Sequence, residues 1–381
     1  MKSMDEIVVE LANKFVVPLN DYNAGLSVEA LKAKYKVEKI AKLASNENPF
    51  GTPDSVKKVL DDQHNLAHYP DPTCRDLKSA IGQIMNVDEQ KLIMGNGSED
   101  IIAMISHAFI EVGDKVLTVV PSFGLHILYP KSFGAEMIIA PMTDDLQFDV
   151  NSLCRQLRDS IPKLFFIASP SNPVGCTLSK ADIQLLLDSQ HAQTLFVFDE
   201  AYYEYAVGGK DYPDVLALLQ SSGKPFILLR TLSKAYSLAG LRVGYGVCAS
   251  AKMVKLLNKI RLPFNVNRLA QKAAIAALFD AEHLDKTMKW NETAKQDLFE
   301  KLQKLGLDPA PSKGNFLFFK TAYPSTEIAE QLLILGVIVK AWAEPGYSNY
   351  LRVSIGSKSE NEHFITSLAT ILHSKQDSKL K

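Results

Sequence analysis

The chain has 381 residues, 46% of them hydrophobic, enough for one large domain and a smaller one, each with its own core. A formal net charge of −1 gives no excess that would point to nucleic acid or a membrane surface. Four scattered cysteines (Cys74, Cys154, Cys176, Cys248) without a CxxC pair fit a reduced, cytoplasmic setting better than a disulfide framework. No apolar run is long enough to span a bilayer, and acids interrupt the first one, which a secretory signal would not tolerate.

In chain order, residues 1–45 read as an amphipathic helix followed by an extended arm. His64 and His68 have a four-residue spacing that can hold zinc on a helix, but no third ligand accompanies them, so they read as surface histidines. Gly95-Asn-Gly-Ser-Glu-Asp follows a strand-like Lys91-Leu-Ile-Met and opens a helix. The backbone N–H groups of Ser98 and Glu99 could bind a phosphate there. The motif lacks GxGxxG spacing, and an ordinary loop-to-helix turn reads the same way.

From about 90 to 250, short apolar runs alternate with amphipathic helical stretches. The runs are Lys115–Val120, Glu136–Ala140, Lys163–Ala168, Leu195–Phe198, Pro225–Leu229 and Arg242–Val247. Their length and β-branched or aromatic content predict strands buried on both faces of a largely parallel α/β sheet. Ligands bind such sheets beyond the carboxyl ends of the strands, where several polar residues fall.

Phe123, in Pro121-Ser-Phe, could stack on a flat ring or simply join the core. Asn172 lies in the rigid turn Ser169-Pro-Ser-Asn-Pro-Val-Gly, with room for a cis bond before Pro173. Asp199 ends a strand of apolar residues, where a carboxylate is costly unless paired. It either caps a helix or pairs with a cation such as a protonated pyridine nitrogen. Tyr202 could reach the oxygen of the same ring.

The segment Arg230-Thr-Leu-Ser-Lys-Ala-Tyr-Ser-Leu-Ala-Gly-Leu-Arg242 sets Lys234 among the hydroxyls of Thr231, Ser233 and Ser237, with Arg242 two helical turns further on. A lysine there is poised to form an imine with an aldehyde cofactor, and the hydroxyls and arginine would hold that cofactor's phosphate. Pyridoxal 5'-phosphate (PLP) meets this description. A helical region from about 267 to 305 then leads to a C-terminal unit with strands at Asn315–Phe319, Val337–Lys340 and Tyr350–Ser354.

Leu43-Ala-Ser-Asn-Glu-Asn-Pro-Phe-Gly51, Tyr69-Pro-Asp71, Gly95–Asp100, Ser171-Asn-Pro-Val-Gly175, Asp199-Glu-Ala-Tyr202, Thr231–Arg242, Asn265-Val-Asn267 and Tyr350-Leu-Arg-Val-Ser-Ile-Gly356 occur in that order. Together they resemble the class I/II PLP aminotransferases of fold type I, most closely the histidinol-phosphate aminotransferase branch. The resemblance implies a large PLP-binding domain over 46–266 with a mostly parallel sheet. A smaller α/β domain would span 267–381, joined by the arm 1–45.

It further implies that Lys234 is the Schiff-base lysine and proton carrier, that Asp199 pairs with the pyridine nitrogen, and that Asn172 and Tyr202 bind the ring oxygen. Phe123 would stack on the ring. Ser98, Glu99 (through backbone amides), Thr231, Ser233 and Arg242 would surround the phosphate. Tyr69 would reach the phosphate of a neighbouring subunit, making a homodimer part of the site. Arg352 would clamp the substrate α-carboxylate, and Tyr22 would lie over the substrate side chain. The small-molecule partners would be an amino donor and a 2-oxo acid.

The sequence departs from this branch at Lys340, where an arginine for the substrate's distal anion is expected. Lysine keeps the charge but loses the bidentate fork. Trp342 either enlarges an aromatic pocket or packs in the small domain. The alternatives are an aromatic or broad-specificity aminotransferase, a PLP decarboxylase of a phosphorylated amino acid, and a nucleotide-binding α/β protein using Gly95–Glu99.

Overall fold

The computed structural model describes residues 2–21, 25, 27–61, 66–209 and 211–379. Its strands are β1 (Ala41–Lys42), β2 (Leu92–Asn96), β3 (Lys115–Val120), β4 (Glu136–Pro141), β5 (Leu164–Ala168), β6 (Leu195–Asp199), β7 (Phe226–Thr231), β8 (Val243–Cys248), β9 (Pro309–Ala310), β10 (Phe316–Lys320), β11 (Val337–Ile338), β12 (Lys340–Ala341) and β13 (Tyr350–Ser354). The central sheet has seven strands in the order β2-β8-β7-β6-β5-β3-β4. Strands β3 to β7 run parallel, while β8 is antiparallel to both β7 and β2.

Both faces of this sheet are covered. Along β5, Phe165 and Ile167 enter one hydrophobic cluster while Leu164 and Phe166 enter another. That alternation explains why the strand reads as a continuous apolar run. The parallel strands bring Ala168, Asp199 and Thr231 to one end of the sheet.

A second, antiparallel sheet has the order β12-β13-β10-β9, and β1 pairs in parallel with β11. Its core gathers Leu298, Leu317, Phe319, Val353 and Phe364. The early Ala41 and Leu43 join the same cluster, so the segment before the large sheet is built into the later one.

Three expectations change. The first 45 residues contain a second helix, Val28–Tyr35, which buries only Leu31 and therefore carries little apolar periodicity. The helical stretch after 267 is two helices, Arg268–Leu278 and Ala281–Lys304, the second started by Asp280, whose side chain accepts from His283 N. Lys234 and Arg242 are not separated by helical turns: the segment between them is a loop ending in a 3-10 turn, Ala239–Leu241, with Ser237 and Arg242 at φ +61° and +59°.

Candidate active site

Helix Ser98–Phe109 starts directly after β2, and its N-cap Gly97 supplies no capping side chain. The N–H groups of its first turn therefore remain available to an anion. Around them stand Arg242, Ser233 and Thr231. Gly97 N–H donates to Arg242 O at 3.0 Å. The Arg242 guanidinium lies 3.1 Å from Glu99 Oε1 and 3.4 Å from Ser233 Oγ. Thr231 Oγ1 lies 2.9 Å from Ser233 Oγ and accepts from Ser233 N–H at 3.2 Å. The packing leaves no spare room in the backbone: a Cβ on Gly244 would fall 2.2 Å from Ser98 N. Glu99 thus contributes a carboxylate that holds Arg242, beyond the backbone amide read from the sequence.

Asp199 ends β6 and is 3% exposed. Its Oδ1 accepts from Ala201 N–H at 3.0 Å, and its Oδ2 lies 3.1 Å from His126 Nε2. His126 is fully buried, and its Nδ1 has no hydrogen-bond partner among the described residues. The ring proton therefore belongs on Nε2, where it donates to Asp199. The ring stacks on Phe166 with centroids 5.3 Å apart and meets Phe123 edge-on at 5.6 Å. Sequence reasoning missed His126, which sits in the apolar stretch Leu125-His-Ile-Leu and carries no motif of its own.

The Lys234 amine donates to Ser45 O at 2.8 Å and lies 5.9 Å from the Tyr202 ring centroid. Burial, then the nearby Arg352 guanidinium, lowers its pKa to about 8. Tyr202 OH accepts from Asn46 Nδ2 at 2.8 Å. Asn46 is fully buried at φ +54°, its N–H donates to Ser354 Oγ at 2.8 Å, and its carbonyl accepts from Asn315 Nδ2 at 2.9 Å. Asn46 had been visible only as part of a motif. Its structural role is to tie the early segment to β13 and Tyr202.

Arg352 lies on β13, directly opposite Lys340 of β12 in register. Its Nη1 donates to Asn172 Oδ1 at 2.6 Å, and its Nη2 donates to Ala44 O. Asn172 precedes a cis peptide bond to Pro173, as the turn composition allowed. Burial, then Arg352, lowers the Lys340 pKa. Trp342 packs edge-on against Phe318 at 5.8 Å, and its Nε1 donates to Glu344 Oε2 at 2.7 Å. It packs, with Phe318, on the face of the smaller sheet that joins the hydrophobic cluster of the large one.

The structure therefore gathers Ser98, Glu99, Thr231, Ser233 and Arg242 in one cluster, links Asn172, Arg352 and Lys340 in a second, sets Phe123 against the His126 that holds Asp199, and places the Lys234 amine near the Tyr202 ring. Tyr69 stands apart, 77% exposed and stacked on Phe264 at 4.4 Å. Tyr22 and His64 lie outside the described residues. His68 is exposed in a bend, and no metal-binding cluster occurs among the described residues. Asn265 and Asn267, part of another motif, are structural: Asn265 Nδ2 donates to Asp100 Oδ2 at 2.8 Å, and Asn267 caps the helix Arg268–Leu278.

This donor set fits PLP. Anion donors, a buried carboxylate held by Ala201 N–H and His126, and a lysine with a depressed pKa match its phosphate, ring nitrogen and aldehyde. Residues 38–368 match the family model for aminotransferase class I and II. The chain is 42% identical to histidinol-phosphate aminotransferase 1 of Mesorhizobium japonicum, over 92% of this chain and 95% of that one. It is 41% identical to histidinol-phosphate aminotransferase 3 of Rhizobium meliloti, over 92% and 94%. Its fold overlays the histidinol-phosphate aminotransferase of Sinorhizobium meliloti in complex with pyridoxal-5'-phosphate at TM-score 0.88 and 24% identity, covering 96% of this chain and 98% of that one. The chain belongs to the class I and II aminotransferases, enzymes that work with PLP.

Proposed function

We propose that the chain moves the amino group of L-histidinol phosphate to 2-oxoglutarate in histidine biosynthesis, as a cytoplasmic homodimer. The observation that carries this reading is the pairing of Lys340 with Arg352 across β12 and β13. A site serving both substrates must take glutamate's α-carboxylate and, in the other half-reaction, a phosphate ester one carbon further out. One arginine suits the first. A second cation beside it suits the dianion, and bound phosphate would relieve the mutual repulsion that contributes to the lowered Lys340 pKa. The two relatives with that name, each above 40% identity over most of both chains, support the assignment.

Bound PLP supplies an aldehyde that captures the substrate amine and a ring that accepts electron density. The residues of the chain would do the rest. Asp199, held by His126, keeps the ring nitrogen protonated. Tyr202 and Asn172 bind the ring oxygen, and Phe123 covers one face. Thr231, Ser233, Arg242 and the amides of Ser98 and Glu99 hold the phosphate. Lys234, whose free amine has its pKa lowered to about 8 by burial and then Arg352, would hold the cofactor's aldehyde carbon and carry the proton of the substrate's Cα. Arg352, held by Asn172 and Ala44, would bind the acid group of the substrate and fix its orientation in the site. Tyr22 would cover the substrate side chain.

The division into an arm (1–45), a large domain (46–266) and a small domain (267–381) is supported by the two sheets and by the pairing of β1 with β11. A homodimer is supported by the exposure of Tyr69, which would complete the partner's phosphate site. The helix Met4–Leu11 also has no buried residue despite its apolar face, with Leu11 82% exposed. Sedimentation of the holoenzyme tests this. The substrate test is a single-turnover absorbance assay with L-histidinol phosphate, L-phenylalanine and L-tyrosine. A preference for histidinol phosphate of roughly several hundredfold, about 3–4 kcal/mol, is expected. Equal conversion of the aromatic acids would refute the substrate while leaving the chemistry intact.

A further inference from the structure

Behind the strand ends that carry the site lies a buried polar network the chemistry does not use. Glu200 follows Asp199, and its side chain is fully buried. Arg230 precedes Thr231, and its Nε and Nη2 contact Glu200 Oε2 at 2.9 and 2.8 Å. Tyr212 OH lies 2.9 Å from Glu200 Oε1 and 2.6 Å from the carbonyl oxygen of Ser169, which begins the turn carrying Asn172. The Arg230 guanidinium carbon sits 3.4 Å above the ring of Tyr203, the neighbour of Tyr202.

Arg230 and Thr231 are successive residues of β7 and so point to opposite faces of the sheet. Glu200 directly follows Asp199 at the end of β6, and Tyr203 opens the short helix after Tyr202, so site and network residues are neighbours in sequence at all three places. One network thus touches the ends of β5, β6 and β7 together. Two backbone bonds follow the same path, from Glu200 N to Leu229 O at 2.9 Å and from Ser169 N to Asp199 O at 3.0 Å. A buried ion pair is a weak source of net stability, because desolvation offsets most of its attraction. What it does supply is a fixed geometry, since each member has few alternative partners.

We propose that Glu200, Arg230, Tyr212 and Tyr203 form a clamp of positioning residues that sets Asp199, Tyr202, Thr231 and Asn172 against the cofactor. The clamp rests on the cofactor placement proposed above. It acts through strand ends and touches neither cofactor nor substrate.

The test compares the PLP-loaded wild type with Tyr212→Phe, which removes one hydroxyl and keeps the ring. Glu200→Gln serves as a second variant, and Phe364→Leu in the core of the smaller sheet as a destabilised control. Three readouts are taken: cofactor affinity, the pH midpoint of the visible absorption, and kcat against KM. Tyr212→Phe should weaken PLP binding about tenfold and move the midpoint by at least about 0.5 units, lowering kcat with KM nearly unchanged. Glu200→Gln should act in the same direction, and Phe364→Leu should lower the melting temperature without moving the midpoint. If Tyr212→Phe and Glu200→Gln lower only the melting temperature, or if Phe364→Leu moves the midpoint equally, the clamp is refuted. Lys234→Ala separates the two failures. If it keeps the wild-type absorption, the cofactor placement is wrong and the clamp falls with it. If it loses that absorption while the Tyr212→Phe midpoint is unchanged, the placement stands and the clamp alone is refuted.

Discussion

Gly97→Ala probes the phosphate end of the site with a cost readable from geometry. Gly97 sits at φ +79°, ψ 166°, a region essentially reserved for glycine, where another residue costs about 1–3 kcal/mol. Its new Cβ would fall 2.4 Å from Arg242 Nη2. The guanidinium is the flexible partner, so it yields and leaves both Glu99 and Ser233. Losing charge-assisted bonds at about 1.5–3 kcal/mol each should weaken PLP binding by about 10- to 100-fold. Titration of cofactor-free protein with PLP measures this directly. Melting with and without PLP gives a second measure, because each tenfold loss of affinity removes about 1.4 kcal/mol of cofactor-dependent stabilisation. Gly113→Ala is the control: Gly113 has φ +88° with nothing within 4 Å of an added Cβ. It should lose stability and keep its PLP affinity. Wild-type affinity in Gly97→Ala, or equal losses in both variants, would refute the reasoning.

The remaining expectations concern Lys234, Arg352 and His126. Burial and Arg352 lower Lys234 to about 8, against about 10.4 in an unfolded chain, so between these values the unfolded state binds more protons and stability rises with pH. Cofactor-free Lys234→Met should therefore melt above the wild type below about pH 8, with the gap closing toward about pH 10; a gap independent of pH would contradict the shift. Arg352→Lys loses the fork that reaches Asn172 and Ala44, and kcat/KM for glutamate should fall by about 10- to 100-fold, mainly through KM. Steady-state kinetics with both substrates checks this, and unchanged KM values would remove Arg352 from carboxylate binding. His126→Phe takes the buried donor from Asp199 at a cost of about 1–3 kcal/mol. A fall in kcat of about tenfold or more is expected, with glutamate KM nearly constant; wild-type turnover would mean that His126 only fills space.

Lys234, Asp199 and Asn172 were legible as candidates because each is a polar group shortly after the carboxyl end of an apolar run, where burial makes it costly. The seven-stranded sheet was legible for the related reason that strands buried on both faces read as unbroken apolar segments. His126 was not, since a histidine among leucines and isoleucines looks the same whether it supports a carboxylate or simply packs. The Glu200–Arg230 pair was not legible either, since its members are thirty residues apart and only the pairing of β6 with β7 brings them together. The two-residue strands β1, β9, β11 and β12 are too short to carry a period, and their pairing is set by partners up to about 300 residues away. Lys340 was legible as a departure from a pattern, and its position opposite Arg352 emerges only from the register of β12 and β13.

The early segment around Asn46 also bears on how the molecule is made. Ala44 O receives Arg352 and Asn46 N reaches Ser354, contacts separated by 308 positions along the chain. Such closures are slow, because the loop between the ends must be ordered before the contact offers any return. Ser98, Glu99, Asp199, Thr231, Ser233, Lys234 and Arg242 all lie between residues 97 and 242, and the central sheet is complete by Cys248, so this part of the chain is synthesised about a hundred residues before β13. The contacts of Arg352 with Asn172 and Ala44 form only after β13 has been synthesised and has met a segment made some three hundred residues earlier. A nascent chain would thus complete the strand ends of its large sheet well before the two halves of the Arg352 cluster can meet.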